Sequence, residues 1–291
     1  MKKEIKFLGK KVRRFFLLLS LAFIIIGIVF LFTKGLNYSI DFQSGSVIYY
    51  KLSNPLRSEQ ISKIRDEARR FYDKSTIQTG SEGREIWIRT KPLDEGEVKA
   101  LSTEVEKLIG KYEARELTTI EPTVSQELRE KAILSGVLAI IVMLVYITFR
   151  FKFDFAISAI ISEAFVVLAS ISLFSIFQWE VDPSFIAAIL TLLGYAINDT
   201  IIVFDRIREN LKLYPKEDFV SLVNKSINQT LARTIYTVLT TLLAITPLLF
   251  WGGVVLRPFI IALYLGVIIG TYATIYVASG ILCEWRELHK A

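Results

Sequence analysis

The sequence predicts an α-helical polytopic membrane protein with six transmembrane helices and an α+β domain of order βαββαβ between the first two. Three observations carry this. Of the 291 residues 52% are apolar, with a mean hydropathy of +0.44, more apolar surface than one aqueous core hides. Six apolar runs are long enough for a hydrocarbon core of about 30 Å, which roughly 20 helical residues cross. Between the first two runs the chain is charged, and its apolar residues fall at strand and helix spacings in turn.

The chain opens on Lys2, Lys3, Lys6, Lys10, Lys11, Arg13 and Arg14, so residues 1–14 read as a cytoplasmic anchor. The run 15–32 resembles a secretion signal. It is longer than a signal's apolar region and no small-residue cleavage site follows, so an uncleaved anchoring helix is expected.

Residues 33–131 form the expected extracytoplasmic domain. From Lys34 to Lys131 there are seventeen Lys and Arg and seventeen Asp and Glu, hence no net charge. Residues 46–52 are β-branched and aromatic, a strand. Ser58 stands where an N-cap belongs, and Ile61, Ile64, Ala68 and Phe71 recur at helical spacing. Residues 75–79 and 84–90 flank Gly80-Ser81-Glu82-Gly83, a hairpin signal. Val98, Leu101, Val105 and Leu108 mark a second helix, and 114–120 a last strand before Pro122. This order is that of the ferredoxin-like fold. Arg65, Arg69 and Arg70 are interleaved with Asp66 and Glu67, so they read as a solvated helix face.

The remaining spans are expected at 132–149, 155–177, 185–204, 231–250 and 259–283, with a cytoplasmic loop at 205–230 and a cytoplasmic tail at 284–291. Arg150, Lys152, the basic residues from Arg206 to Lys225, Arg286 and Lys290 all fall on one side. The opposite short loops carry Glu180 and Asp182, and only Arg257 of basic type. Both termini are therefore expected in the cytoplasm. The net charge of +6 is a topology signal, and no basic face for nucleic acid is expected.

The single cysteine, Cys283, and single histidine, His289, exclude an intramolecular disulfide, a thiolate-rich zinc site and a Ser-His-Asp triad in the folded body. No enzymatic activity, metal or cofactor is expected.

The residues that a bilayer should reject carry the most information. Glu163, Asp199 and Arg233 lie eight, five and two residues in from the predicted cytoplasmic ends of spans three, four and five. An ionisable group at such a position belongs to a bundle interior or a water-filled path. The similar depths, within about 15 Å of that edge, let the three meet. Thr230, Arg233, Thr234, Thr237 and Thr241 form one stripe on span five, and Thr191, Tyr195 and Asn198 accompany Asp199 on span four. Two such faces suit a proton pathway, with Asp199 or Glu163 as carrier because Arg holds its proton. The same residues also suit a buried ion pair and hydroxyl packing that lock two helices. A dyad for intramembrane aspartyl proteolysis is disfavoured, since the second acid is a glutamate and Arg233 keeps a nearby carboxylate ionised. On span six, Gly266 and Gly270, continued by Thr274 and Ala278, form a small-residue packing face.

The run from Leu193 to Asn210, which contains Gly194, Asn198, Asp199, Thr200, Asp205 and Arg206, resembles the span-four signature of the SecD/SecF protein-export family. The run Asn228-Gln229-Thr230-Leu231-Ala232-Arg233-Thr234, followed by Thr240-Thr241, resembles that family's span-five motif. Tyr38-Ser39-Ile40-Asp41-Phe42-Gln43-Ser44-Gly45 is similar to its glycine-rich motif after span one, with Asp41, Phe42 and Gly45 as the matching positions. Residues 123–128 resemble the entry to span two. Ser39 and Ser44 replace motif glycines, and Ser162-Glu163 replaces His-Asp.

The resemblance implies a fold related to the resistance-nodulation-division exporters and pairing with SecD. It also implies use of the proton-motive force at the Sec translocon (SecY, SecE and SecG) on unfolded secretory polypeptide, in the cell membrane and among its lipid, with Asp199 and Arg233 serving proton flow. The alternatives are half of a small-molecule or lipid exporter and a passive assembly scaffold. Six spans are also only half of the two-fold arrangement common in transporters.

Overall fold

The computed structural model describes residues 5–72, 75–80, 83–251, 253 and 256–289. The chain folds as two compact units, a membrane unit (1–37, 135–252 and 256–291) and a smaller unit (38–134 with 253–255).

Among the described residues six helices are long and apolar enough to cross a membrane: Lys10–Thr33, Pro122–Arg150, Phe153–Phe177, Pro183–Leu213, Phe219–Trp251 and Arg257–Leu288, hereafter spans one to six. The expected loop at 205–230 is mostly helix. Spans four and five both continue past the apolar run, with a turn only between Leu213 and Phe219. The apolar signal ends at the first charges, but the helix continues because Ile207, Leu222, Val223 and Ile227 remain buried on its inner face. Span two likewise begins at Pro122, ten residues before its apolar run.

The local sequence sets the ends. Asp182 caps span four by accepting from the Phe185 N–H at 2.8 Å, with Pro183 in the first turn, where its missing N–H costs nothing. At the other end of the same link, Gln178 takes a left-handed conformation (φ 54°) that ends span three. Span one lies against span three at Gly27, where an added Cβ would come within 1.9 Å of Ser172 Oγ. The last span is not one continuous α-helix. It runs α over Arg257–Tyr272, π over Ala273–Ala278 and α again over Ser279–Leu288.

A charged clasp joins the first and last spans. Arg13, fully buried, donates through Nε to Glu284 (3.0 Å) and through Nη2 to Glu287 (2.9 Å). Arg286 pairs with Asp154 at 2.8 Å. Before span one, Asn228 holds the Ile5 backbone twice, accepting from its N–H and donating to its carbonyl, and Asn224 accepts from the Leu8 N–H.

In the smaller unit, strands β1 (Gly45–Leu52), β2 (Thr76–Thr79), β3 (Glu85–Thr90) and β4 (Tyr112–Ile120) form one sheet of order β2-β3-β1-β4 with antiparallel neighbours. Ile48 sits opposite Ile88 and Leu117. With Tyr50, Leu52 and Ile86 it forms a core under helices Ser58–Phe71 and Glu95–Ile109, which contribute Ile64, Ala68, Val98, Leu101 and Val105. Ser58 is the first helical residue and not the cap. Arg57 holds that position, and its N–H donates to Gln60 Oε1. The hairpin tip at Ser81 and Glu82 lies outside the described residues, though Gly80 N–H still closes on the Glu85 carbonyl at 2.9 Å.

The motif after span one makes a single helical turn, Ile40–Gln43, that buries Phe42. Ser39 fits without strain, being extended (φ −68°) and donating to Asp41 Oδ2 at 3.0 Å. Ser44 does not. Its φ of 65° and ψ of 156° fall in a region that is almost glycine-only and costs about 1–3 kcal/mol for other residues. Ser44→Gly is therefore expected to stabilise this unit by about 1 kcal/mol, raising its melting midpoint by about 5 °C when followed through Trp87 fluorescence. Gly45→Ala is expected to do the reverse, since its Cβ would lie 2.5 Å from the Thr90 carbonyl oxygen.

Candidate functional site

Asp199 is carried by span four at a point where Leu192, Leu193, Ala196, Ile197, Thr200 and Val203 fix the buried face of the helix. It is 2% exposed, and its Oδ2 is buried without a hydrogen-bond partner. Arg233, on span five, is the charged group that acts on it through space. Among the described residues the two make no ion pair at contact distance. Tyr195, one turn before Asp199 on the same helix, has a buried hydroxyl without a hydrogen-bond partner, and Asp199 acts on it through space.

Glu163 stands apart from this pair. It is 1% exposed, both carboxylate oxygens and the neighbouring Ser162 Oγ lack partners, and no charged group among the described residues acts on it. Residue counting gives the three ionisable residues one depth, but the structure couples only two of them. Depth along a helix follows from residue count, whereas helical phase decides the neighbours.

The expected polar stripes divide in the same way. Thr230 and Thr234 are buried, Tyr195, Thr237 and Thr241 half-buried, and Thr191, Asn198 and Arg233 exposed. Several of the hydroxyls are already used within their own helix. Thr191 donates to the Ala187 carbonyl, Thr230 to Ser226, Thr237 to Arg233 and Thr241 to Thr237.

An arginine and an asparagine exposed within membrane-crossing segments need a covering surface. Spans two and five leave most of their apolar residues uncovered in the single chain. Chemically, a carboxylate that gains and loses a proton beside a fixed guanidinium changes the attraction between spans four and five.

On span six, Gly266 and Gly270 face span four. An added Cβ at Gly266 would approach Leu192 Cδ1 to 2.1 Å, and one at Gly270 would approach Ala196 Cβ to 3.2 Å. Sequence reasoning gave no part to Thr200, whose hydroxyl meets that of Thr274 at 3.0 Å in the interior. In the smaller unit a recess of about 270 Å³ lies beside Leu93, Val98, Lys99, Arg115 and Leu117. Among the described residues no group of three or more His, Cys, Asp or Glu could hold a metal ion.

Comparison with known proteins gives the family. The family description "Protein export membrane protein SecD/SecF, C-terminal" matches residues 100–288, and "SecD/SecF GG Motif" matches residues 29–55. The chain is 78% identical over 290 residues to protein translocase subunit SecF of Dictyoglomus turgidum, covering 100% of both. It is 38% identical to protein translocase subunit SecDF of Thermus thermophilus over 94% of this chain and 37% of that one. A crystal structure of SecDF from that organism, described as a translocon-associated membrane protein, superposes with a TM-score of 0.84 at 34% identity. It covers 98% of this chain and 39% of its own.

Proposed function

The chain belongs to the SecD/SecF protein-export family, and on that premise we propose that it couples the proton-motive force to late movement of unfolded secretory polypeptide through the Sec pore of SecY, SecE and SecG. It is a multi-pass membrane protein and a translocase subunit without enzymatic activity. A SecD-type subunit is its partner, in keeping with a relative in which one longer chain is named SecDF.

The observation that carries the proton reading is Asp199. It is a buried carboxylate in a membrane-crossing helix, with one oxygen unpaired and the fixed charge of Arg233 acting on it. Such a group can take up and release a proton and feel the difference. Asn198, Tyr195 and the Thr230, Thr234, Thr237 and Thr241 stripe supply polar groups along a path to it. Glu163 serves as a separate protonatable site in span three. The exposed face with Arg233, Asn198 and Thr191 is where the SecD-type membrane half docks. The bias of Lys and Arg among the short loops supports cytoplasmic termini. It also supports an extracytoplasmic position for the smaller unit, whose sheet order and two helices fit the ferredoxin-like fold.

The test is reconstitution of this chain with a SecD-type partner and the pore in vesicles. Export is expected to rise when a proton gradient is imposed and to fall back when an ionophore collapses it. Export indifferent to the gradient would remove the proton role. Gradient-driven efflux of a small molecule, with no effect on polypeptide, would favour an exporter half instead.

A further inference from the structure

We propose that Thr274, on the π-helical turn of span six, is a positioning residue for Asp199 that acts through the hydroxyl of Thr200. The inference rests on the proton reading of Asp199 and adds the element that holds this carboxylate in its orientation.

Spans four and six meet along a seam in strict register. Leu192 faces Gly266, Ala196 faces Gly270, and Thr200 faces Thr274, each step four residues further along both helices. The first two steps are close apolar contacts that glycine makes possible. The third is a hydrogen bond between two fully buried hydroxyls, Oγ1 to Oγ1 at 3.0 Å. It is formed one residue from Asp199.

The choice of bond is informative. Other threonines in these spans donate to the carbonyl four residues earlier in their own helix, as Thr191 does to Ala187 and Thr271 to Val267. Thr200 and Thr274 are bonded across the interface instead. The π turn at Ala273–Ala278 begins one residue before Thr274, and Ser279 Oγ donates to the Thr274 carbonyl, five residues back, at 2.9 Å. π turns inside α-helices are uncommon and concentrate at functional sites. The α-helical seam of Gly266, Gly270 and Thr274 thus ends at Thr274, and the π turn shifts the side-chain phase of span six beyond it.

The Thr200–Thr274 bond resists rotation of span four about its axis, and that rotation sets whether the next side chain, Asp199, faces span five. The charged group that acts on Asp199 is Arg233 on span five, and Asp199 in turn acts on Tyr195 of its own helix. Span six has no charged residue between Arg257 and Glu284, and the Glu163 carboxylate of span three is reached by no charge among the described residues. Span six can therefore act on Asp199 only through packing and this hydroxyl pair.

The test is Thr274→Val in the full complex, which keeps the shape and deletes the hydroxyl. Gradient-driven export is expected to fall about fivefold, the equivalent of one buried hydrogen bond, and its pH profile to move. Assembly with the partner and export without a gradient are expected to stay as they were. Thr274→Ser should restore both rate and profile. Thr200→Val should reproduce the defect, and the double variant should be no worse than either single one.

A pH profile that stays in place while thermal stability or assembly drops would overturn the proposal, because the pair would then be packing alone. Should Asp199→Asn leave gradient-driven export intact, the proton reading itself falls and this role falls with it. If Asp199→Asn abolishes export while Thr274→Val leaves rate and profile unchanged, only the positioning role is lost.

Discussion

Asp199→Asn is expected to reduce export in the reconstituted complex to the level seen with the proton gradient collapsed. The complex should still assemble and bind its partner. Asparagine has nearly the size of aspartate, and the carboxylate it replaces is 2% exposed with one oxygen unpaired, so the packing of span four around Leu193, Ala196 and Val203 is retained. What is lost is the exchangeable proton. The amide cannot answer Arg233 with an ionised state, and the cycle of attraction and release between spans four and five stops. Partner capture by affinity purification, run alongside the export assay, separates this from a passive scaffold, in which export and association fall together.

Arg233→Leu is expected to stop gradient-driven export as well, and here association is the more informative readout. Arg233 is exposed in the single chain, on the face assigned to the SecD-type subunit. Weakened association would place a group of the partner, preferably a carboxylate, against the guanidinium. Association that is unchanged while export is lost would confine Arg233 to its work on Asp199.

The six spans are legible in the sequence because hydropathy over about 20 residues measures the property that membrane crossing demands. Their ends are not. Residues 205–230 read as a loop because their charges silence the hydropathy signal, yet amphipathic helix continues there with Ile207, Leu222 and Ile227 on the inner side. The candidate site is half legible in the same sense. Counting residues places Glu163, Asp199 and Arg233 at one depth, but which of them meet depends on azimuth around each helix. A reading of one chain also assumes that its polar residues face its own interior, which Arg233 and Asn198 do not. The hydroxyl bond of Thr200 and the two asparagines that hold the N-terminal backbone have no pattern that marks them in advance. The π turn is equally silent, since residues 273–278 are ordinary helix formers for a membrane and only the backbone shows the wider turn.

Arg13 shows how far the basic N-terminus is from uniform, and its replacement is expected to have the second large effect. Seven Lys and Arg precede the apolar run of span one in the sequence and all read alike as topology signals, but among the described ones Arg13 alone faces inward, fully buried against Glu284 and Glu287. Arg13→Ala leaves those two carboxylates, at 22% and 38% side-chain exposure, without their main counter-charge. Arg14 reaches only Glu284, at 3.2 Å from a side chain that is 58% exposed. Removing one partner of a buried pair costs about 3–5 kcal/mol. The partial exposure of the glutamates puts the expected loss near the lower figure, read as a lower melting midpoint of the detergent-purified chain and earlier proteolysis at its two ends. Topology should not change, because Lys10, Lys11 and Arg14 still carry the basic charge that orients span one. The triple change Arg13→Ala, Glu284→Gln, Glu287→Gln should recover part of the lost stability, because most of the penalty is the stranded negative charge and not the missing attraction. A triple variant no more stable than Arg13→Ala alone would instead assign the loss to the packing of the arginine stem, whose Cγ lies against Gly280 where an added Cβ would come within 3.5 Å.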